Sequence, residues 1–148
     1  MDKNFGGKAP SLDTSLGKKI YQAMDKAIKL GLVRSSHTPT KGGLAIGFSL
    51  MAMGSDMGLE IWLDKIIKED NMSEADILFS ESNSRFIVTV SPENIIAFES
   101  IFSGLPCARV GTVIESEKLV VLGYGASVII EQDICQLRTR FKNPLRGL

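Results

Sequence analysis

Residues Gly43 to Met53 read Gly-Leu-Ala-Ile-Gly-Phe-Ser-Leu-Met-Ala-Met, apolar on almost every side of a helical projection. A helix with no polar face must be enclosed by other elements, so the fold needs layers on more than one side of it. At ten residues the apolar part of this run is also too short to span a bilayer.

The flanking patterns supply those layers. Leu16, Ile20, Ala23, Ala27 and Leu30 recur at helical spacing after Asp13, which can cap the first turn, and Gly31 can close the last in the left-handed conformation. Strands are expected at Leu32 to Ser36, Leu59 to Leu63, Phe86 to Val90, Ala108 to Ile114, Lys118 to Leu122 and Ser127 to Glu131. Asp64 to Asn71 is charged and is expected to hold a helical turn with a loop.

Ser73 with Asp76 fits a capping box for a short helix ending near Phe79. Ser91-Pro92-Glu93 starts another, running to about Phe102, with a hydroxyl cap, a proline at the first helical position and an acid at the positive end of the dipole. A last helix holds Ile134 and Leu137 and ends at Asn143-Pro144. The order mixes βαβ units with an antiparallel end, so the expected class is α+β, a mixed sheet covered by helices. The expected domain covers residues 10–140, with a linker over 1–9 and a tail over 141–148.

Composition excludes several functions. Seventeen basic residues balance seventeen acidic ones with no basic face interleaved with aromatics, which argues against a nucleic-acid partner. With no apolar leader and no spanning segment, a cytoplasmic location and no membrane partner are expected. Cys107 and Cys135 lie in apolar segments without a metal-ligand neighbour and are expected as buried, reduced thiols. Met51, Met53 and Met57 are expected to fill core. One histidine and no complete P-loop leave no self-contained catalytic set, so no catalytic residue and no metal ligand is assigned.

Two segments could bind a ligand. In His37-Thr38-Pro39-Thr40-Lys41-Gly42-Gly43 a strand ends and glycines open a helix, a geometry whose free N–H groups suit an anion. The alternative is that Gly42 and Gly43 only let the buried helix start close to the sheet, with His37 and Thr40 capping loop backbone. In Glu81-Ser82-Asn83-Ser84-Arg85 a carboxylate, two hydroxyls, an amide and a guanidinium fall within one turn and could hold a polar small molecule. The alternative there is a surface loop in which Glu81 pairs with Arg85.

Both segments resemble one known family. His37 to Ala45 is similar to the His-Asp-x-Ser-Asp-Gly-Gly-Leu-Ala segment of phosphoribosylformylglycinamidine synthases, and Leu78 to Phe86 to their Leu-Phe-(Gly/Ser)-Glu-Ser-x-Ser-Arg-Phe segment. The resemblance spans roughly residues 9 to 137. It implies the fold of the carboxy-terminal domain of aminoimidazole ribonucleotide synthetase, here from the second half of a two-half enzyme. The implied activity is ATP-dependent formation of an amidine from formylglycinamide ribonucleotide and glutamine-derived ammonia.

The resemblance further implies ATP and magnesium in the intact enzyme, with none bound to this chain alone. The implied partners are the ATP-binding domain of the same enzyme and a glutamine amidotransferase domain or subunit, with self-association through the domain interface that its absence uncovers. The implied ligand-binding residues are His37, Lys41, Gly42, Gly43, Glu81, Ser82, Asn83 and Arg85, toward an auxiliary nucleotide site. Thr38 and Lys41 stand where the family has Asp, and Lys41 would favour a bare phosphate at the helix start. A free-standing scaffold domain of the same fold, or a relative of the hydrogenase-maturation and selenophosphate-synthetase proteins, is the alternative.

Overall fold

The computed structural model describes residues 11–143. The expected linker over 1–9 and residues 144–148 of the expected tail lie outside the described residues. In chain order the elements are α1 (Thr14–Lys29), β1 (Val33–His37), α2 (Gly43–Met53), β2 (Gly58–Trp62), α3 (Glu74–Phe79), β3 (Ile87–Val90), α4 (Ile95–Ile101), β4 (Gly111–Ile114), β5 (Lys118–Leu122), β6 (Val128–Asp133) and α5 (Ile134–Lys142).

Helix starts follow the local chemistry. Asp13 Oδ1 accepts the Leu16 N–H at 2.9 Å, and Gly31 follows α1 at φ 69°. In the capping box of α3 the Asp76 N–H donates to Ser73 Oγ and the Ser73 N–H donates to Asp76 Oδ2, both at 3.1 Å. Asp133 Oδ1 caps α5 by accepting the Gln136 N–H at 2.9 Å. Pro92 opens a 3₁₀ turn that runs into α4, but the Ser91 hydroxyl makes no capping bond; the 3₁₀ geometry removes the expected cap.

The strands form two sheets. β1 and β3 pair antiparallel, with Ser36 opposite Val88, and the other four lie in the order β4-β2-β5-β6. β2 and β5 run parallel, Ile61 opposite Val121, and the remaining pairs are antiparallel. The class is therefore α+β with a mixed sheet, split into a four-stranded and a two-stranded part. The strand expected over residues 108–114 is shortened: only 111–114 form a ladder, and before it Val110 O alone accepts a β2 donor, the Trp62 N–H at 2.8 Å.

Two cores result. Leu44, Phe48 and Ala52 of α2 pack with Ile61 of β2, Ile77 and Leu78 of α3, Val121 of β5 and Ile134 of α5. Ala23, Met24 and Ala27 of α1 pack with Leu32, Phe98 and Phe102, the last two stacked with ring centroids 4.7 Å apart. The apolar helix is thus enclosed except at its start, where Ile46 is 44% exposed. Arg138 fastens α5 beneath it, donating from Nη2 to Met53 O at 3.2 Å and Ser55 O at 2.9 Å, carbonyls at or just beyond the end of α2.

Several expectations are corrected. Leu30 is exposed, because α1 ends before it and Leu32, whose N–H donates to Ala27 O at 3.1 Å, takes the buried position. Cys107 and Cys135 are free but exposed, the first in the extended segment before β4 and the second on the outer side of α5. Met51 and Met53 pack on the core, whereas Met57 is exposed beyond the end of α2. α5 continues through Lys142, so the expected tail from 141 begins inside a helix.

Candidate functional site

The chain brings the two segments together. Gly42 is the N-cap of α2, with φ 81° and no capping side chain of its own, and no acid lies in the first turn of the helix. Glu81, 39 residues away, supplies one: its Oε1 accepts the Gly42 N–H at 2.8 Å. A carboxylate at the positive end of a helix dipole is stabilising, and here it is borrowed across the fold. It lies at the helix start where the Lys41 reading puts a phosphate.

Gly43 completes the junction. It has φ 61°, and a Cβ there would sit 2.7 Å from Ser80 O and 2.8 Å from Leu78 O, so only glycine lets α2 lie this close to the end of α3. The Gly43 N–H donates to Thr40 O at 3.1 Å, closing the loop.

Arg85 does not pair with Glu81. Its Nη2 donates to Ser80 O and, at 3.3 Å, to Ser80 Oγ, which ties the 80–85 loop into a closed turn. Its Nε is shielded from water and has no acceptor among the described residues. Burial pulls the guanidinium below its ordinary value. The Glu81–Arg85 surface pair is therefore replaced by two separate attachments, one to the start of α2 and one to the end of α3.

His37 ends β1 half-buried, its ring Cδ2 3.3 Å from where a Gly47 Cβ would stand, so it packs over α2. Lys41, Ser82 and Asn83 are exposed on the loops that Glu81 joins. Ser84 adopts φ 58°, which turns the chain into β3.

Sequence patterns did not single out Tyr21 and Gly17. Tyr21 Oη lies 3.3 Å from Ser84 Oγ, and its ring meets Phe86 edge-on at 5.6 Å; Gly17 faces the same hydroxyl. These contacts join residues more than 60 positions apart, and Tyr21 and Gly17 carry no local signal beyond the α1 helical pattern. Among the described residues no cluster of His, Cys, Asp and Glu could hold a metal ion, and no helix is long and apolar enough to cross a membrane.

Known proteins share this architecture. The phosphoribosylformylglycinamidine synthase subunit PurL of Thermococcus sibiricus is 31% identical over 137 residues, 93% of this chain but 19% of that protein. The chain thus spans about a fifth of the length of such curated relatives. Thermotoga maritima PurL complexed with FGAR superposes with a TM-score of 0.77 at 24% identity, over 90% of this chain and 23% of that one. T. maritima PurL has also been solved with ATP, with ADP and as PurLQS, at TM-scores of 0.73, 0.74 and 0.75 and identities of 22 to 25%. Escherichia coli HypE, a hydrogenase maturation protein, superposes at 0.64 with 15% identity, over 78% of this chain and 39% of that one. Residues 2–123 match the model of the AIR synthase related protein C-terminal domain, and the chain belongs to that family.

Proposed function

We propose that this chain is a domain of an ATP-dependent, amidine-forming ligase of purine synthesis, which converts formylglycinamide ribonucleotide with glutamine-derived ammonia. In this reading it supplies scaffold and one wall of a nucleotide site and is silent alone. The observation that carries the reading is the 2.8 Å bond from the Gly42 N–H to Glu81 Oε1, because it joins the two segments that resemble the synthase and holds them on one side of the fold. The PurL relatives and the T. maritima complexes support the same assignment.

Within it, Gly42, Gly43, Glu81 and Arg85 shape the wall rather than offer free groups, since each is engaged inside the chain. His37, Lys41, Ser82 and Asn83 edge the surface they shape. ATP and magnesium belong to the intact enzyme, whose ATP-binding domain completes the pocket and whose ammonia comes from a glutamine amidotransferase domain or subunit. A cytoplasmic setting goes with this chemistry. Exposed apolar side chains such as Ile28, Leu30 and Ile96, the last 84% exposed, support burial against further domains or, in the isolated chain, self-association.

Glu81→Gln tests the reading, because the amide keeps an acceptor for Gly42 and removes the charge. In the isolated chain the change is expected to cost less than about 1 kcal/mol by urea unfolding. In the full-length protein it is expected to lower bound nucleotide or turnover, since that binding appears only when both domains build the pocket. Equal nucleotide content and equal turnover in full-length wild type and variant would leave the Glu81 bond a purely structural clasp.

A further inference from the structure

A groove of about 520 Å³ lies between the two cores, walled by Phe48 of α2, Phe86 and Val88 around β3, Phe98 of α4 and Val113 of β4. Its volume is in the range that takes small organic ligands, and its walls are mostly apolar. Its lining includes residues 86–90 at β3 and 106–113 at the segment that leads into and forms most of β4, edge strands of the two separate sheets.

Arg85 lines this groove. It is half-buried: Nη2 is engaged by Ser80, while Nε is shielded from water with no acceptor among the described residues, and a shielded donor on a cation carries a desolvation cost that an anion beside it relieves. The neighbouring acid that could have paired with it, Glu81, is turned to Gly42. Among the described residues none of the ion pairs includes Arg85. The other charged side chains on the groove wall are Arg109 and Glu99. The wall is therefore mostly apolar with a small cationic excess, and the half-buried guanidinium of Arg85 has no carboxylate partner among the described ion pairs.

We propose that this groove binds a small amphipathic anion, an apolar ring or chain seated on the phenylalanine and valine walls with a carboxylate, sulfonate or phosphate set beside Arg85. Of the residues assigned to the nucleotide wall the groove shares only Arg85; its other walls are its own, and the proposal does not rest on that reading. It requires no second domain, so it is testable in the isolated chain.

The probes are 1-anilinonaphthalene-8-sulfonate, an aromatic anion, and Nile red, an uncharged dye of similar apolar character. Wild type is expected to bind the sulfonate saturably at one site per chain. Arg85→Met should weaken the sulfonate at least about tenfold, a change of about 1.4 kcal/mol, and leave Nile red within about twofold. Because Arg85 also ties the 80–85 turn, Val113→Glu provides a second arm: it adds an acid to the groove and leaves the turn alone, and the sulfonate should again weaken selectively. Thermal unfolding of both variants identifies any that fail to fold, in which case the folded one decides. Sulfonate binding unchanged in the folded variants, equal losses of both dyes, or no saturable sulfonate site on wild type would overturn the proposal. So would a dimer in sedimentation whose formation excludes the dye, since a second copy would then be the occupant.

Discussion

Asp76 shows how much one side chain can depend on its fold. Its carboxylate is held below the ordinary 3.8 by the Ser73 hydroxyl first and the Ser73 N–H second. A depressed folded value means that the contribution to stability is complete above the unfolded value and disappears as pH falls through the folded one. Asp76→Asn is therefore expected to flatten the acid limb of a urea-midpoint-against-pH curve, on the acid side of the ordinary carboxylate value, where the depressed group takes up its proton. A limb as steep as in wild type would mean that other carboxylates set it. Glu81 is the contrasting case: the same residue type caps a helix to which it is not adjacent in sequence.

At the scale of elements, the junction between α2 and α3 is the tightest point near the site. Gly43→Ala combines a left-handed conformation with a Cβ at 2.7 Å from a backbone carbonyl, and backbone cannot swing aside as a side chain does. The expected loss is about 2–5 kcal/mol, the sum of the left-handed penalty and of overpacking. Gly31→Ala is the control, since Gly31 has φ 69° with nothing within 4 Å of the new Cβ, and should cost only about 1–2 kcal/mol. Chemical unfolding of the pair separates crowding from conformation: equal losses would show that α2 and α3 can part without cost.

At the scale of the molecule, the site is an edge rather than a centre. The described residues hold no metal-ligating cluster, Glu81 is engaged by the other motif loop and Arg85 by its own, and Lys41, Ser82 and Asn83 are left exposed at the rim. If the proposed function holds, with the groups that cradle ATP in another domain, the purified isolated chain turns over no ATP, with or without magnesium and ammonia. Hydrolysis above a blank from an identically purified unrelated protein would overturn this. The groove between the cores meets that edge only at Arg85, and it is the place proposed above for a ligand bound without a second domain.

Most elements were legible in the sequence because their causes are local. Asp13, Ser73 and Asp133 cap helices three residues away, Gly31 supplies a left-handed terminus, and alternation in Leu59 to Leu63 places one face of a strand inward. The pattern of α2 required enclosure, and the two motif segments pointed to a family before any contact was known. What local patterns could not carry was which partner each polar group would take. The 2.8 Å bond between Glu81 and Gly42, the desertion of Arg85 by its expected partner, and the hydroxyl contact of Tyr21 with Ser84 each depend on chain separations of 39 residues or more, or on a competitor at such a distance. The split of the sheet has the same origin. Ala108 and Arg109 fall in the strand expected to run to Ile114, but the ladder needs facing donors and acceptors, and β2 reaches only as far as Val110. Hydrophobic periodicity and capping act over one or two turns and are written in adjacent residues; pairing and burial of polar groups are decided only when the whole chain has closed.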